Sequence, residues 1–240
     1  IAITVEFSEV VNVDESGGTP TLTLNNTSGT NPAVDYSSGT GSNTLTFNYT
    51  IGSGETSSDL DYVATSSLAL YSGYSSTIKD AAGNDATLTL ASPGAANSLG
   101  ANKDLVIDTT LPTVTGVTST TSNGSYRQGE TIAITVEFSE VVNVDESGGT
   151  PTLTLNNTSG TNPAVDYSSG SGSTTLTFNY TIGSGETSGD LDYATTNSLV
   201  LNSGTIKDAA GNAATLTLAS PGASNSLGNN RALIVDTSVP

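Results

Sequence analysis

The sequence predicts an all-β protein made of tandem antiparallel β-sandwiches. Apolar residues alternate with Thr, Ser, Asn or acidic residues in many short runs, as they do in strands that bury one face. Turn-forming Gly, Ser and Asn residues separate those runs. The chain also repeats itself, because residues 1–57 and 132–188 differ only at Thr40/Ser171 and Asn43/Thr174.

The repeat sets the domain organisation. The two copies are offset by 131 residues in their first half and by 128 residues after a three-residue deletion. One repeat therefore has about 130 residues, which is the size of a single domain. We predict one domain over residues 1–110 and a second over residues 111–240.

The first repeat is predicted to lack its first strand. The segment Thr113–Thr131 precedes the second copy, and nothing corresponds to it before Ile1. Two interpretations remain open at this point. Either the chain is a window from a longer array, or a neighbouring molecule supplies the missing strand.

Each strand is predicted from its local alternation. Ile1, Ile3, Val5 and Phe7 occupy alternate positions, so they share one face of the first strand. The other predicted strands of the first copy are Thr21–Leu24, Thr44–Ile51, Ser67–Tyr71, Thr87–Leu90 and Leu105–Ile107. The second copy repeats this set and adds Val114–Thr118 at its front.

Seven or eight short strands per repeat are typical of an immunoglobulin-like (Ig-like) antiparallel sandwich. The turn signals between them are Ser16–Gly18, Ser38–Gly41, Gly52–Gly54 and Gly83–Asn84. A barrel or a β-helix is the alternative fold. The β-helix is disfavoured because this repeat is far longer than one of its coils.

The composition excludes several functions. The chain has 23 acidic and 5 basic residues, a net charge of −18, and neither Cys nor His. Nucleophilic triads with His and the usual zinc or haem sites are therefore absent. So few basic residues form no phosphate-binding stripe, and an acidic surface is repelled by anionic membranes, so we expect neither nucleic acid nor membrane insertion.

The acids fall mostly in the predicted loops. Successive strands of a sandwich run up and down, so loops distant in sequence meet at one pole. Candidate ligands at the pole of the second copy that follows the linker are Glu140, Asp145, Asp208 and Asn212. Those at the pole of the first copy that precedes it are Glu55, Asp59 and Asp61, with Asp108 in the linker itself. Oxygen-only clusters suit calcium, which takes about 6–8 oxygen ligands.

Candidate ligands also occur at equivalent positions elsewhere in the two repeats. The far pole of the second copy carries Glu130, Glu186, Asp190 and Asp192, while Asp80 and Asn84 are the first-copy counterparts of Asp208 and Asn212. The sequence thus predicts calcium between successive repeats. The alternative is that these acids are only solvated, since Asp and Asn also favour turns for backbone reasons.

An ordered set of motifs carries a family resemblance. It comprises Asp108–Val114, Gly129–Ile132, Phe138–Glu140 and Lys207–Asn212. In this set the chain resembles the bacterial Ig-like repeats of large surface adhesins and is similar in layout to cadherin-like tandem domains. The resemblance implies an extended extracellular rod on the cell surface, with calcium stiffening the linkers between neighbouring repeats.

The resulting functional prediction is a non-enzymatic structural or adhesive module. One alternative is a subunit of an extracellular filament that polymerises by β-strand donation. Another, from a different class, is a glycan-binding module that uses some of the nine Tyr residues. The partners expected are neighbouring repeats and a cell-surface glycan or protein.

Overall fold

The structure is a computed structural model, and it describes residues 1–26, 31–71, 76–157 and 162–238. The chain is nearly all-β and divides into two compact units, Ile1–Thr110 and Leu111–Pro240. Each unit contains one curled antiparallel sheet that encloses its own core. The predicted tandem of Ig-like sandwiches is therefore confirmed.

The first unit has seven described strands and one short helix. The strands are β1 (Ala2–Asp14), β2 (Thr21–Asn25), β3 (Ala33–Ser38), β4 (Ser42–Asn48), β5 (Asp61–Tyr62), β6 (Leu68–Ala69) and β7 (Thr77–Lys79), and the helix is α1 (Leu99–Asn102). They form a sheet in the order β5-β2-β3-β4-β1-β7, and β6 also pairs with β2.

The second unit repeats this arrangement and extends it. Its elements are β8 (Val114–Ser119), β9 (Gly124–Tyr126), β10 (Thr131–Asp145), β11 (Thr152–Asn156), β12 (Ala164–Ser169), β13 (Ser173–Thr181), β14 (Asp192–Tyr193), β15 (Leu199–Val200), β16 (Thr205–Lys207), α2 (Leu227–Asn230) and β17 (Leu233–Val235). The sheet runs β14-β11-β12-β13-β10-β16, with β15 on β11 and β8 on β10. A separate two-stranded sheet pairs β17 with β9 in parallel.

The long strand β10 lets one sheet form two layers. Its first part pairs with β13, and its last three residues pair with β16. Between Glu137 and Val142 the register shifts, which is the mark of a β-bulge that bends the strand. In the first unit β1 has the same shift, between Glu6 and Val11.

Alternating apolar residues fill the space between the layers. In the second unit Leu153, Leu155, Leu176 and Phe178 have no exposed surface. Residues between them on the same strands point outward, as a period of two requires.

Several elements differ from the prediction. The strands β3 and β12 were not predicted; in β3 the inward residues are Val34 and Tyr36. Thr87–Leu90 was predicted as a strand but makes no continuous ladder. Its apolar side chains still pack on the core. The residue before it, Ala86, donates its N–H to Ile78 O, whereas Leu90 at its end donates to Thr65 O.

The two four-residue helices were also not predicted, since they are too short to show a helical period. Serine side chains cap both, with Ser98 Oγ accepting from Ala101 N and Ser226 Oγ from Asn229 N. In the described parts of the chain no helix is long and apolar enough to cross a membrane.

Candidate metal centre

The bulge in β10 brings two carboxylates together in the second unit. Glu140 lies within the bulge, and Asp208 directly follows β16. Because β10 changes partner to β16 just after the bulge, carboxylate oxygens of Glu140 and Asp208 come within 4.8 Å of one another. Glu140 was predicted to lie in a loop after the strand, and it lies inside the longer strand instead.

Asp208 is held in place by a tight turn. Its Oδ1 accepts from Asn212 N at 2.8 Å, and its Oδ2 accepts from Asn212 Nδ2 at 2.7 Å. Burial raises the pKa of Asp208, but the hydrogen bonds from Asn212 outweigh burial and hold this pKa below its ordinary value. Asp208 is thus a buried, ionised carboxylate of fixed orientation, 6% exposed.

The first unit repeats this turn in a more exposed setting. Asp80 accepts from Asn84 N at 2.8 Å and from Asn84 Nδ2 at 2.7 Å. These hydrogen bonds lower the pKa of Asp80. A surface ion pair, Lys79 to Asp85 at 3.3 Å, lies beside this turn, and the second unit has Ala213 in place of Asp85.

Two predicted ligands, Glu55 and Glu186, are bound to tyrosines within their own units. Glu55 Oε2 accepts from Tyr49 Oη at 2.7 Å and from Gly52 N at 2.6 Å. The tyrosine hydroxyl, followed by the backbone amide, lowers the pKa of Glu55. Glu186 makes the same two bonds, with Tyr180 and Gly183. These glutamates close the turns that follow β4 and β13.

Two more predicted ligands, Asp61 and Asp192, are almost fully buried. Asp61 accepts from Tyr62 N at 2.8 Å and from Gly94 N at 2.9 Å, and Asp192 makes the equivalent bonds in the second unit. Each carboxylate therefore ties a short strand to the loop that leads into the helix.

Asp59 and Asp190 lie beside these buried acids. A methyl group on Gly100 would lie 3.0 Å from Asp61 Oδ2 and 3.2 Å from Asp59 Oδ2. Both carboxylates thus face the same point on α1. The second unit has the same arrangement around Gly228, at 3.0 Å from Asp192 Oδ2 and 3.4 Å from Asp190 Oδ2.

The remaining candidates make local bonds. Asp108 Oδ1 accepts from Thr110 N, and Asp145 Oδ1 accepts from Ser147 N, each at 2.9 Å. The bond from Ser147 N is the main cause of a lowered pKa at Asp145. Glu130 accepts from Arg127 N at 2.8 Å, which closes the turn between β9 and β10.

The contacts of the predicted ligands divide them into two groups. Glu140 and Asp208 form a carboxylate pair on neighbouring strands, whose oxygens are suited to a hard cation such as calcium. Glu55, Glu186, Asp61 and Asp192 have structural partners that the sequence analysis missed. The signal for the first two was available, since a Tyr precedes each Glu by six residues at the end of a strand.

The tyrosines give little support to a sugar-stacking surface. Five of them, Tyr36, Tyr49, Tyr62, Tyr180 and Tyr193, are buried in the two cores. Tyr71 is 51% exposed, and Tyr74 lies outside the described residues. Among the described tyrosines, packing within the sandwich is thus the main role.

Comparison with known proteins supports the fold assignment. Residues 108–220, which span most of the second unit, match the family model described as a bacterial Ig-like domain. This family is non-catalytic, occurs in extracellular and surface proteins, and provides structural or adhesion-type modules. Neither a curated protein nor a solved structure matches the chain.

Proposed function

We propose that this chain, whose second repeat belongs to the bacterial Ig-like domain family, is a non-enzymatic extracellular segment of a tandem array stiffened by calcium. The observation that carries the proposal is the carboxylate pair Glu140 and Asp208, whose oxygens approach within 4.8 Å. The near-identity of the two copies favours a repeated spacer over a specialised binding site.

The carboxylate pair is a costly arrangement without a cation. Two like charges at this separation repel each other, and this repulsion favours protonation of one of them. Yet the Asn212 hydrogen bonds keep Asp208 ionised. A divalent cation would offset this repulsion and part of the net charge of −18.

The linker supplies the proposed connection between repeats. Asp108 lies two residues before the end of the first unit, and Pro112 follows shortly after the boundary. We infer that Asp108 adds its carboxylate to the ligands of the second unit, so that calcium restricts the linker. The proposed location is accordingly the cell surface, where calcium is available at high concentration.

Thermal unfolding with calcium and with chelator tests the binding. A ligand at 100 times its dissociation constant stabilises the native state by about 2.7 kcal/mol. For a unit of 130 residues this corresponds to a rise of about 10 °C in the Tm of that unit. An identical melting curve in calcium and in chelator would overturn the proposal.

Matched variants locate the site. Glu140→Gln removes one charge of the pair while keeping its shape, so we expect most of the calcium-dependent rise in Tm to disappear. Asp166→Asn is the control, because Asp166 is an exposed acid on β12. Its calcium response should equal that of the wild type.

Small-angle scattering tests the stiffening separately from binding. We expect Asp108→Ala to broaden the distribution of distances in the calcium-loaded chain while both units stay folded. If calcium still raises the Tm but the scattering of Asp108→Ala is unchanged, the ion stabilises the second unit alone, and the linker role is wrong.

A further inference from the structure

Asn123 and Gly124 form the one Asn-Gly pair in the chain. Asn123 directly precedes β9, Gly124 begins it, and both residues are exposed. An asparagine that is followed by glycine loses its side-chain ammonia readily, because glycine has no side chain to hinder attack by its main-chain nitrogen on the asparagine amide. The pair is therefore a candidate site of chemical modification that needs no enzyme.

Both reacting groups are bound to a single residue on the other strand of the small parallel sheet. Gly124 N donates to Ala232 O at 3.0 Å, and Asn123 Oδ1 accepts from Ala232 N at 3.2 Å. The Asn123 side chain thus extends the ladder of β9 and β17 by one position. While these two bonds hold, the Gly124 N–H and the Asn123 amide are each occupied by Ala232.

The fold itself does not require glycine at position 124. Gly124 lies in the ladder of β9, and a β-carbon there would lie 3.8 Å from its nearest neighbours, atoms of the Tyr126 side chain. This is an ordinary van der Waals distance. Gly170 provides the contrast, because its φ is +110° and a β-carbon would collide with the main-chain oxygen of Thr175. Backbone strain therefore explains the glycine at 170 but not the glycine at 124.

The contact that protects the Asn-Gly pair is small. Strands β9 and β17 pair over only three residues, and Ala232, like Asn123 and Gly124, is exposed. Short exposed contacts open locally at a much lower free energy than the whole domain unfolds. Each opening releases Gly124 N and the Asn123 side chain together, since Ala232 holds both.

We propose that Asn123 is a site of spontaneous deamidation, controlled by the opening of β9 from β17. In the open state the main-chain nitrogen of Gly124 loses its proton and attacks Cγ of Asn123. A bond forms between these two atoms, and the bond from Cγ to Nδ2 breaks. Nδ2 leaves as ammonia, having taken up the proton that Gly124 lost. Water then opens the resulting five-membered imide ring at one of its two carbonyl carbons.

The two products of ring opening differ in how they fit the sheet. Water attack at Cγ gives aspartate, whose carboxylate keeps an acceptor for Ala232 N. Attack at the main-chain carbonyl gives isoaspartate, in which the main chain passes through the side-chain carbons and is longer by one methylene. The added length shifts Gly124 N away from Ala232 O and breaks the register of β9 on β17. In this product a transient opening becomes a permanent release of β9.

This inference goes beyond the proposed function. It uses neither the Glu140 and Asp208 carboxylates nor a bound cation, so its test is made with chelator present. A failure of the calcium proposal leaves this inference standing, and the reverse also holds.

The test follows one tryptic peptide of the folded 240-residue chain. Trypsin releases residues 104–127, in which Asn123 is the one asparagine. A gain of one mass unit in this peptide after incubation at neutral pH marks deamidation, and chromatography separates the aspartate and isoaspartate forms. We expect both forms to accumulate at a rate about 30-fold below that of the free synthetic peptide, because two hydrogen bonds to Ala232 must break first.

Two results of this experiment would overturn the proposal. No product at Asn123, after an incubation long enough to complete a reaction about 30-fold slower than that of the free peptide, would mean that the folded chain is not modified there. A rate equal to that of the free peptide would mean that the bonds to Ala232 do not control the reaction.

Gly124→Ala is the matched variant for the attacking group. Because a β-carbon fits at this position, we expect the wild-type Tm. Deamidation of Asn123 should slow at least about tenfold, since the added methyl group hinders the attack and raises its barrier. An unchanged rate in a variant that keeps its Tm would refute attack by the nitrogen of residue 124.

Amide hydrogen exchange distinguishes the two products. Asn123→Asp reproduces the aspartate product, and we expect it to keep the wild-type protection of the Gly124 and Asp236 amides, which bond to Ala232 O and Tyr126 O. The isoaspartate form, purified from the aged chain, should exchange both amides at least about tenfold faster. Equal protection in the two forms would refute the release of β9.

Discussion

The two leucines Leu99 and Leu227 provide a test of how much the first strand contributes to stability. Both occur in the same tetrapeptide, Asn-Ser-Leu-Gly, and both begin a four-residue helix with a serine cap. Leu227 is fully buried, and its helix packs against β8. Leu99 is only half-buried. We expect Leu227→Ala to destabilise its unit much more than Leu99→Ala destabilises the first unit.

The loss of stability in each variant depends on the apolar surface that is no longer buried and on the cavity that the substitution leaves behind. A fully buried Leu→Ala change costs about 2–5 kcal/mol, so we expect about 3 kcal/mol for Leu227. A side chain that already contacts water loses less transfer free energy and leaves no closed cavity, so about 1 kcal/mol is expected for Leu99. In units of this size these costs lower the Tm by about 12 °C and 4 °C.

Hydrogen exchange during denaturant titration is the appropriate assay, because it reports the unfolding of each unit separately within the intact chain. The measurement is made with chelator present, so that calcium does not contribute. Equal destabilisation by the two substitutions would refute the reasoning, since it would mean that β8 adds nothing to the burial of the helix. The common tetrapeptide gives both helices the same serine cap and the same first two residues.

Three further predictions concern the first unit. Tyr49→Phe should cost about 1 kcal/mol at pH 7, because it removes the hydroxyl that lowers the pKa of Glu55. The stabilising contribution of this hydrogen bond is present at pH values above the ordinary carboxyl pKa, and it is lost as the pH falls through the pKa of Glu55 in the folded protein. Denaturation curves of the variant and the wild type should therefore converge below about pH 4. Gly39→Ala should cost more than about 3 kcal/mol, since its φ is +114° and a β-carbon would collide with the backbone oxygen of Thr44. Gly41→Ala should cost only about 1 kcal/mol by the same denaturation assay, since its φ is +79° but the space around it is open.

The alternation of side chains was sufficient to predict the layers of the fold, because a period of two assigns each residue to the core or to solvent. It did not reveal where strands change partners. The bulge between Glu137 and Val142 has no glycine or proline to mark it, and its position depends on two different neighbours. Glu140 was therefore predicted in a loop, whereas the structure places it within β10, with its carboxylate near that of Asp208.

The roles of the acids were harder to predict than their positions. Asp61 and Asp208 both occur in turn-rich sequence, and both are buried in the structure. What distinguishes them is a partner distant in sequence, which is Gly94 N for Asp61 and the Glu140 carboxylate for Asp208. Such partners depend on tertiary packing, which local sequence does not encode.

The parallel pairing of β9 with β17 determines how the second unit bears a pulling force. These two strands lie near opposite ends of the unit in sequence, and they run in the same direction. Tension that pulls the two ends apart therefore drags the strands past each other along their length. Their hydrogen bonds, such as Gly124 N to Ala232 O, are then loaded in shear and must break together, whereas an antiparallel pair pulled from one end would open one bond at a time. Under such tension the three residue pairs of this contact in the second unit therefore resist separation together.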